Sequence, residues 1–104
     1  MYTDKQMARG RRELHRAAAW RKANDDAYSF GEHVALELAA AGLPISGRGI
    51  LEAMRRKSFI DREGNDTTIN NNMAPIVARW LAREHPEAAH LIERRRCVYD
   101  VLMA

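Results

Sequence analysis

The residues best suited to chemistry are cations placed at the start and along one side of a single segment. Gly47-Arg48-Gly49 precedes the apolar Ile50, Leu51 and Met54, and Arg55-Arg56-Lys57 follows. Two glycines in a first helical turn leave backbone N–H groups bare. Those groups, with the positive end of the helix dipole, suit a phosphate. Arg48 and Arg55 stand seven residues apart, two turns on one face, where a guanidinium can reach base edges or backbone. Glu52 and Arg56 complete the polar set. This is the chemistry of contact with an anionic polymer, not of bond breaking.

Other chemistry finds little support. His85 and His90 differ by five, whereas a metal-binding helix prefers histidines at i and i+4, and no cysteine pair assists them. No metal or cofactor is expected. Cys97 is the one cysteine; it has no histidine near it in sequence and reads as a small buried hydrophobe. A disulfide within the chain is impossible, so a reducing, cytoplasmic compartment is the expectation. No P-loop, GxGxxG, GxSxG or HExxH occurs, and no enzyme is expected. No apolar run approaches the roughly 18 residues of a membrane span, and Met1–Lys5 lacks a signal-peptide core.

The 104 residues, 46% of them apolar, suffice for one domain with a modest core. The net charge of +3 permits an anionic partner without demanding one. Its distribution is more telling. Residues 1–22 hold seven cations against two acids, and the next stretch holds Asp25, Asp26, Glu32 and Glu37 with no Lys or Arg. The segment after Ser46 is basic again, and residues 59–69 are acidic through Asp61, Glu63 and Asp66.

These charges need elements to position them. Thr3 and Gln6 form a capping box opening a helix from Asp4 to about Lys22. Its apolar stripe is thin, so residues 1–24 are expected as a basic arm, with Arg11, Arg12 and Arg16 laid on phosphates. The alternatives for it are a solvated helix or a homodimer contact. Ser29 and Glu32 suggest a second box, and the helix they open places Phe30, Val34, Leu38 and Ala41 on one face. Gly42 and Pro44 end it. Ser46 caps the cationic helix. Phe59–Ile69 reads as a hairpin turning at Gly64-Asn65.

Pro75 must lie in a first turn, so Asn72 is the expected cap of the next helix, with Asn71 the alternative. The Asn row also suits adenine or phosphate. Met73, Ile76, Val77, Trp80 and Leu81 form the apolar face, with the Trp80 indole N–H expected on a carbonyl. Arg79 and Arg83 face the other way, towards phosphate. Pro86 starts a short helix to Arg94, closed by Arg94-Arg95-Arg96. Residues 97–102 read as a strand beside the hairpin or as an apolar tuck. The expected fold is mainly α, four to five helices with a small β-hairpin, in one winged-helix-like domain over residues 25–104.

The stretch Glu37–Gly42, followed by Ser46-x-x-x-Ile50-x-x-Ala53-Met54-Arg55-Arg56, resembles the helix-turn-helix of winged-helix regulators. The resemblance covers about residues 30–69. It implies Ser46 as cap and Ile50 and Met54 as buried anchors. Gly47, Arg48, Gly49, Glu52, Arg55 and Arg56 become the groove-facing set, with double-stranded DNA as partner. Two departures are visible: Leu43-Pro44-Ile45 lengthens the turn, and the wing is acidic where a phosphate grip should be basic. Residues 45–96 also resemble the C-terminal half of small phage and prophage proteins, through Ile69–Asn72, Ala74, Ala78-Arg79 and His85-Pro86-Glu87. That implies a mobile-element origin and, with the first resemblance, a transcriptional or excision-type regulator. The acidic hairpin supports the alternative of a module that binds and blocks a host or phage protein.

Overall fold

A computed structural model describes all residues, 1–104. Helix α1 (Asp4–Ala23) begins with both halves of the Thr3–Gln6 box in place. Its inner side carries Gly10 and Ala17. Gly10 lets the C-terminus close on it: a Cβ there would stand 2.6 Å from Leu102 Cδ1. The helix is therefore packed on the common core through Ala17 and Leu14.

Helix α2 (Asp25–Ala40) starts after one intervening residue, Asn24. The buried Asn24 amide donates to the Trp20 carbonyl, and its oxygen accepts from the Thr67 hydroxyl. This break lies upstream of the expected box, so Ser29 sits inside the helix and caps nothing. The core side of α2 carries Tyr28 and the small residues Ala27, Gly31 and Ala35, with Phe30, Val34 and Leu38 only half buried. Small residues let α3 approach closely: a Cβ on Gly31 would collide with Met54 and Ile50. The helix ends as expected, with Gly42 at φ +70° and the Leu43 N–H donating to the Leu38 carbonyl at 2.9 Å.

Strand β1 (Ile45–Ser46) leads into α3 (Gly47–Lys57). The Ser46 hydroxyl accepts from the Gly49 N–H at 3.0 Å. Ile50, Leu51 and Met54 are fully buried. The hairpin that follows is closed by one antiparallel bridge, Ile60–Asp66, rather than by paired strands. Asp61 accepts from the Glu63 and Asn65 N–H groups at 2.9 and 3.0 Å, and Gly64 takes φ +85°. Arg62 pins the loop to the α1–α2 corner through the Ala23 carbonyl and Asp25.

Helix α4 (Ala74–Glu84) is preceded by a 3-10 turn over Asn71–Met73. That turn moves the cap upstream. Asn70, not Asn72, accepts a backbone N–H, that of Asn72, at 2.9 Å. Ile76, Val77 and Leu81 fill the core as expected, while Trp80 is half buried and stands edge-on to Tyr28 at 5.8 Å. The indole that finds a carbonyl is that of Trp20, on Thr68 at 2.8 Å. Pro86–Leu91 is a 3-10 segment, shorter than the expected helix to Arg94. It hands over to β2 (Ile92–Glu93), which pairs in parallel with β1, Ile45 opposite Ile92 and Ser46 opposite Glu93. Residues 99–102 form α5 (Tyr99–Leu102), a helical turn against α1 and not a strand. The architecture is thus mainly helical with a small two-stranded sheet, and no helix is long and apolar enough to cross a membrane.

The body measures 37 × 36 × 18 Å. Such a thin slab buries only 22 of 104 residues, so polar staples must supplement apolar burial. Arg21 is one: it holds Glu84 through two bonds of 2.7 and 2.8 Å and lies over the Tyr28 ring at 3.8 Å. A tight backbone contact is another. Gly47 is buried against the first turn of α4, and a Cβ there would overlap the Ala74 carbonyl oxygen.

Two outcomes are expected in urea denaturation. Gly47→Ala should destabilise by about 1–3 kcal/mol or more, because it must push backbone apart. Gly49→Ala should stay within about 1 kcal/mol, its helix propensity gain offsetting a small shift of Ser46. Likewise, Asn70→Ala should lose about 0.5–2 kcal/mol and Asn72→Ala less than about 0.5. Equal losses at the two asparagines would return the cap to Asn72.

Candidate nucleic-acid interface

Helix geometry sorts the α3 cations. With 3.6 residues per turn and Ile50, Leu51 and Met54 inward, Gly49, Glu52 and Arg56 point out, and the half-buried Ala53 lies on one flank. Arg48 and Arg55 share the other flank, as their spacing predicts. That flank faces the start of α4. Arg55 is consequently engaged inside the protein. Its guanidinium donates to Asn71 Oδ1 at 2.6 Å and to the Ile69 carbonyl at 3.0 Å, and it pairs with Glu52. It anchors the 69–71 segment to α3, so it leaves the groove-facing set. Gly47 leaves it too, being buried against α4. Arg48 and Arg56 are exposed and make no ion pair, and Lys57 lies 4.7 Å over the Phe30 ring.

Arg79 shows the largest departure from expectation. It is only 7% exposed. Its guanidinium donates to Asp100 at 2.8 Å, to the Pro75 carbonyl at 2.8 Å and to the Arg95 carbonyl at 2.7 Å. All three of its nitrogens are engaged within the protein and only 7% of the residue is exposed, so it is a structural tie. The exposed Arg83 donates to the Met103 carbonyl, which again ties down the C-terminus. On α1, Arg16 is exposed and pairs with Glu13 at 3.3 Å. Arg11 and Arg12 are exposed; Arg12 lies about 200° round the helix from the packed Gly10, facing away from α3 and α4.

Cations that the spacing argument missed lie elsewhere. Pairing of β1 with β2 sets Glu93 opposite Ser46, so the chain continues into Arg94 and Arg95 beside the first turn of α3. Ser46, Arg48, Pro75, Arg94, Arg95 and Cys97 line one hollow of about 570 Å³. A second, of about 520 Å³, takes in Arg9, Asn71, Asn72, Arg96 and Tyr99, and the two meet at Pro75 and Cys97. The signal in the sequence was the Arg94–Arg96 run itself. Its location depends on a contact 47 residues away in the chain, which no local pattern reveals. The hairpin acids lie apart from these hollows.

Hydrogen bonding shapes the electrostatics at this end. The Arg79 bond, helped by the Cys97 N–H, holds the Asp100 carboxyl below the usual carboxylate range. Burial pushes the Tyr99 phenol above its ordinary value. No group of three or more His, Cys, Asp or Glu side chains is placed to hold a metal.

Since the folded state holds the Asp100 pKa down, its contribution is present above the unfolded value of about 3.9 and fades as pH falls through the lower folded one. The melting-temperature gap between wild type and Asp100→Asn should therefore be constant from pH 7 to 5 and shrink below about pH 4. A gap that stays constant to pH 2.5 would mean the ion pair adds nothing.

A scan of protein-family models, a search of curated proteins and a search of solved structures each return no match, so the functional argument rests on the chain's own geometry.

Proposed function

We propose that the chain binds duplex DNA, with α3 entering the major groove in the manner of a winged-helix protein. The observation that carries this reading is the state of the α3 cations. Arg48 and Arg56 remain exposed without ion pairs on a capped helix that α2 presses from behind, while Arg55 and Arg79 are engaged internally. A helix held by a second helix, with exposed cations on its outer side, fits a groove about 12 Å wide. The wing does not grip the backbone in this reading. Its acids repel phosphate, and Arg62 holds it against the α1–α2 corner. Arg11, Arg12 and Arg16 take no part. The biological role that fits is a transcriptional or excision-type regulator, a reading that joins the helix-turn-helix resemblance to the mobile-element origin.

A second reading draws on the same loop. Ile60 is 58% exposed beside Asp61 and Glu63, the kind of isolated apolar contact, rimmed by charge, that a protein partner covers. There the chain would bind and block another protein.

A gel shift with random duplex DNA separates the two. The wild type should retard duplex at about 50 mM salt and release it steeply as salt rises. Against a preferred sequence selected from a random pool, Arg56→Ala should lower discrimination by about 1–3 kcal/mol. Arg55→Ala should instead lower the melting temperature. No retardation of any duplex at about 50 mM would end the DNA reading in favour of the second.

A further inference from the structure

The five arginines of the two joined hollows, Arg9, Arg48, Arg94, Arg95 and Arg96, are all exposed and none makes an ion pair. The acids that line the same surface are Glu93 and Glu13, and Glu13 is already paired with Arg16. Arg79, also in the lining, has its charge met by Asp100. The first turns of α3 and α4 are pressed together at Gly47 and Ala74, so two positive helix ends lie on the floor of one trough. Like charges gathered this way repel one another in the free protein. An anion that enters relieves the repulsion and releases its own counterions.

We infer that this trough holds the phosphodiester backbone of the duplex, and that Arg94, Arg95 and Arg48 form its grip. The inference rests on the DNA reading above and supplies what that reading lacks, since the hairpin is acidic and Arg79 is engaged internally. The occupant is a polymer because the trough spans two hollows of about 570 and 520 Å³ that open side by side, which suits an extended strand better than a small enclosed anion. The grip is preorganised. The bond from Arg79 to the Arg95 carbonyl and the β1–β2 pairing fix the backbone of the Arg94–Arg96 run before DNA arrives. Arg48 belongs both to the trough and to the α3 flank, so the helix and the strand contact share one register on the duplex.

The test is fluorescence anisotropy of a labelled random-sequence duplex titrated with the full chain at several salt concentrations. Arg94→Ala with Arg95→Ala should weaken binding about tenfold or more at about 50 mM salt and flatten the salt slope by about one to two units. Arg94→Lys with Arg95→Lys should keep most of the slope, because charge remains. Glu93→Gln should tighten binding. Arg11→Ala with Arg12→Ala removes the same charge outside the trough and should change the slope little. If wild type binds and the alanine pair in the trough matches it, the trough is wrong and the α3 reading survives. If both alanine pairs weaken binding equally, the effect is net charge and the trough is likewise overturned. If wild type binds no duplex, both readings fall together.

Discussion

The structure depends most on one buried charge. A guanidinium out of water is costly unless its charge is paired and its nitrogens find acceptors. Arg79 meets that condition with the carbonyl one turn back at Pro75, the Arg95 carbonyl and the Asp100 carboxylate. These bonds join α4 to two later segments, adding polar ties to the apolar contacts of Ile92, Val98, Tyr99 and Leu102. With Arg95 fixed, β2 can stay beside β1 and the arginine run lies along the start of α3. With Asp100 fixed, α5 can lay Leu102 and Val98 against Gly10, which closes α1 onto the body. In a slab 18 Å thick these ties supplement the packing of Val98, Tyr99, Leu102 and Met103 and the Arg83 bond to Met103.

Arg55 does the same work on the opposite side of α4's start. It ties α3 to Ile69 and Asn71, and so fixes where the Asn row begins its 3-10 turn. Arg21 ties α1 to the end of α4 through Glu84. The chain thus divides its arginines into two kinds. One kind is engaged by carbonyls and carboxylates and sets the architecture. The other is left exposed and unpaired, and five of its members, Arg9, Arg48, Arg94, Arg95 and Arg96, gather around the joined beginnings of α3 and α4. The functional reading follows from that division rather than from net charge.

Local signals were legible. The Thr3–Gln6 box, the Gly42 stop, the Ser46 cap and the Ile50–Leu51–Met54 stripe each depend on residues within one or two turns, and each stands where the pattern puts it. The mainly helical class follows from them. What stayed hidden depended on partners far along the chain. Asn24 replaced Ser29 as the start of α2 because Thr67 and Trp20 satisfy its side chain. The parallel pair joins Ile45 to Ile92, and α5 is helical because α1 offers it Gly10. The site divides along the same line. Arg48 and Arg56 are exposed as the helical period requires, whereas the internal bonding of Arg55 and Arg79 needed acceptors that periodicity does not show. A polar face on a helix is a statement about direction, and in so thin a body that direction can meet another segment instead of solvent.

The central claim is that an anionic backbone lies across the start of α3 and the Arg94–Arg96 run, away from the hairpin. Amide chemical-shift mapping of the isotope-labelled chain, titrated with a short duplex, tests it most directly. The account predicts shifts concentrated in residues 47–57 and 94–97, with residues 60–66 unmoved. Shifts concentrated in the hairpin, with residues 94–97 still, would contradict it.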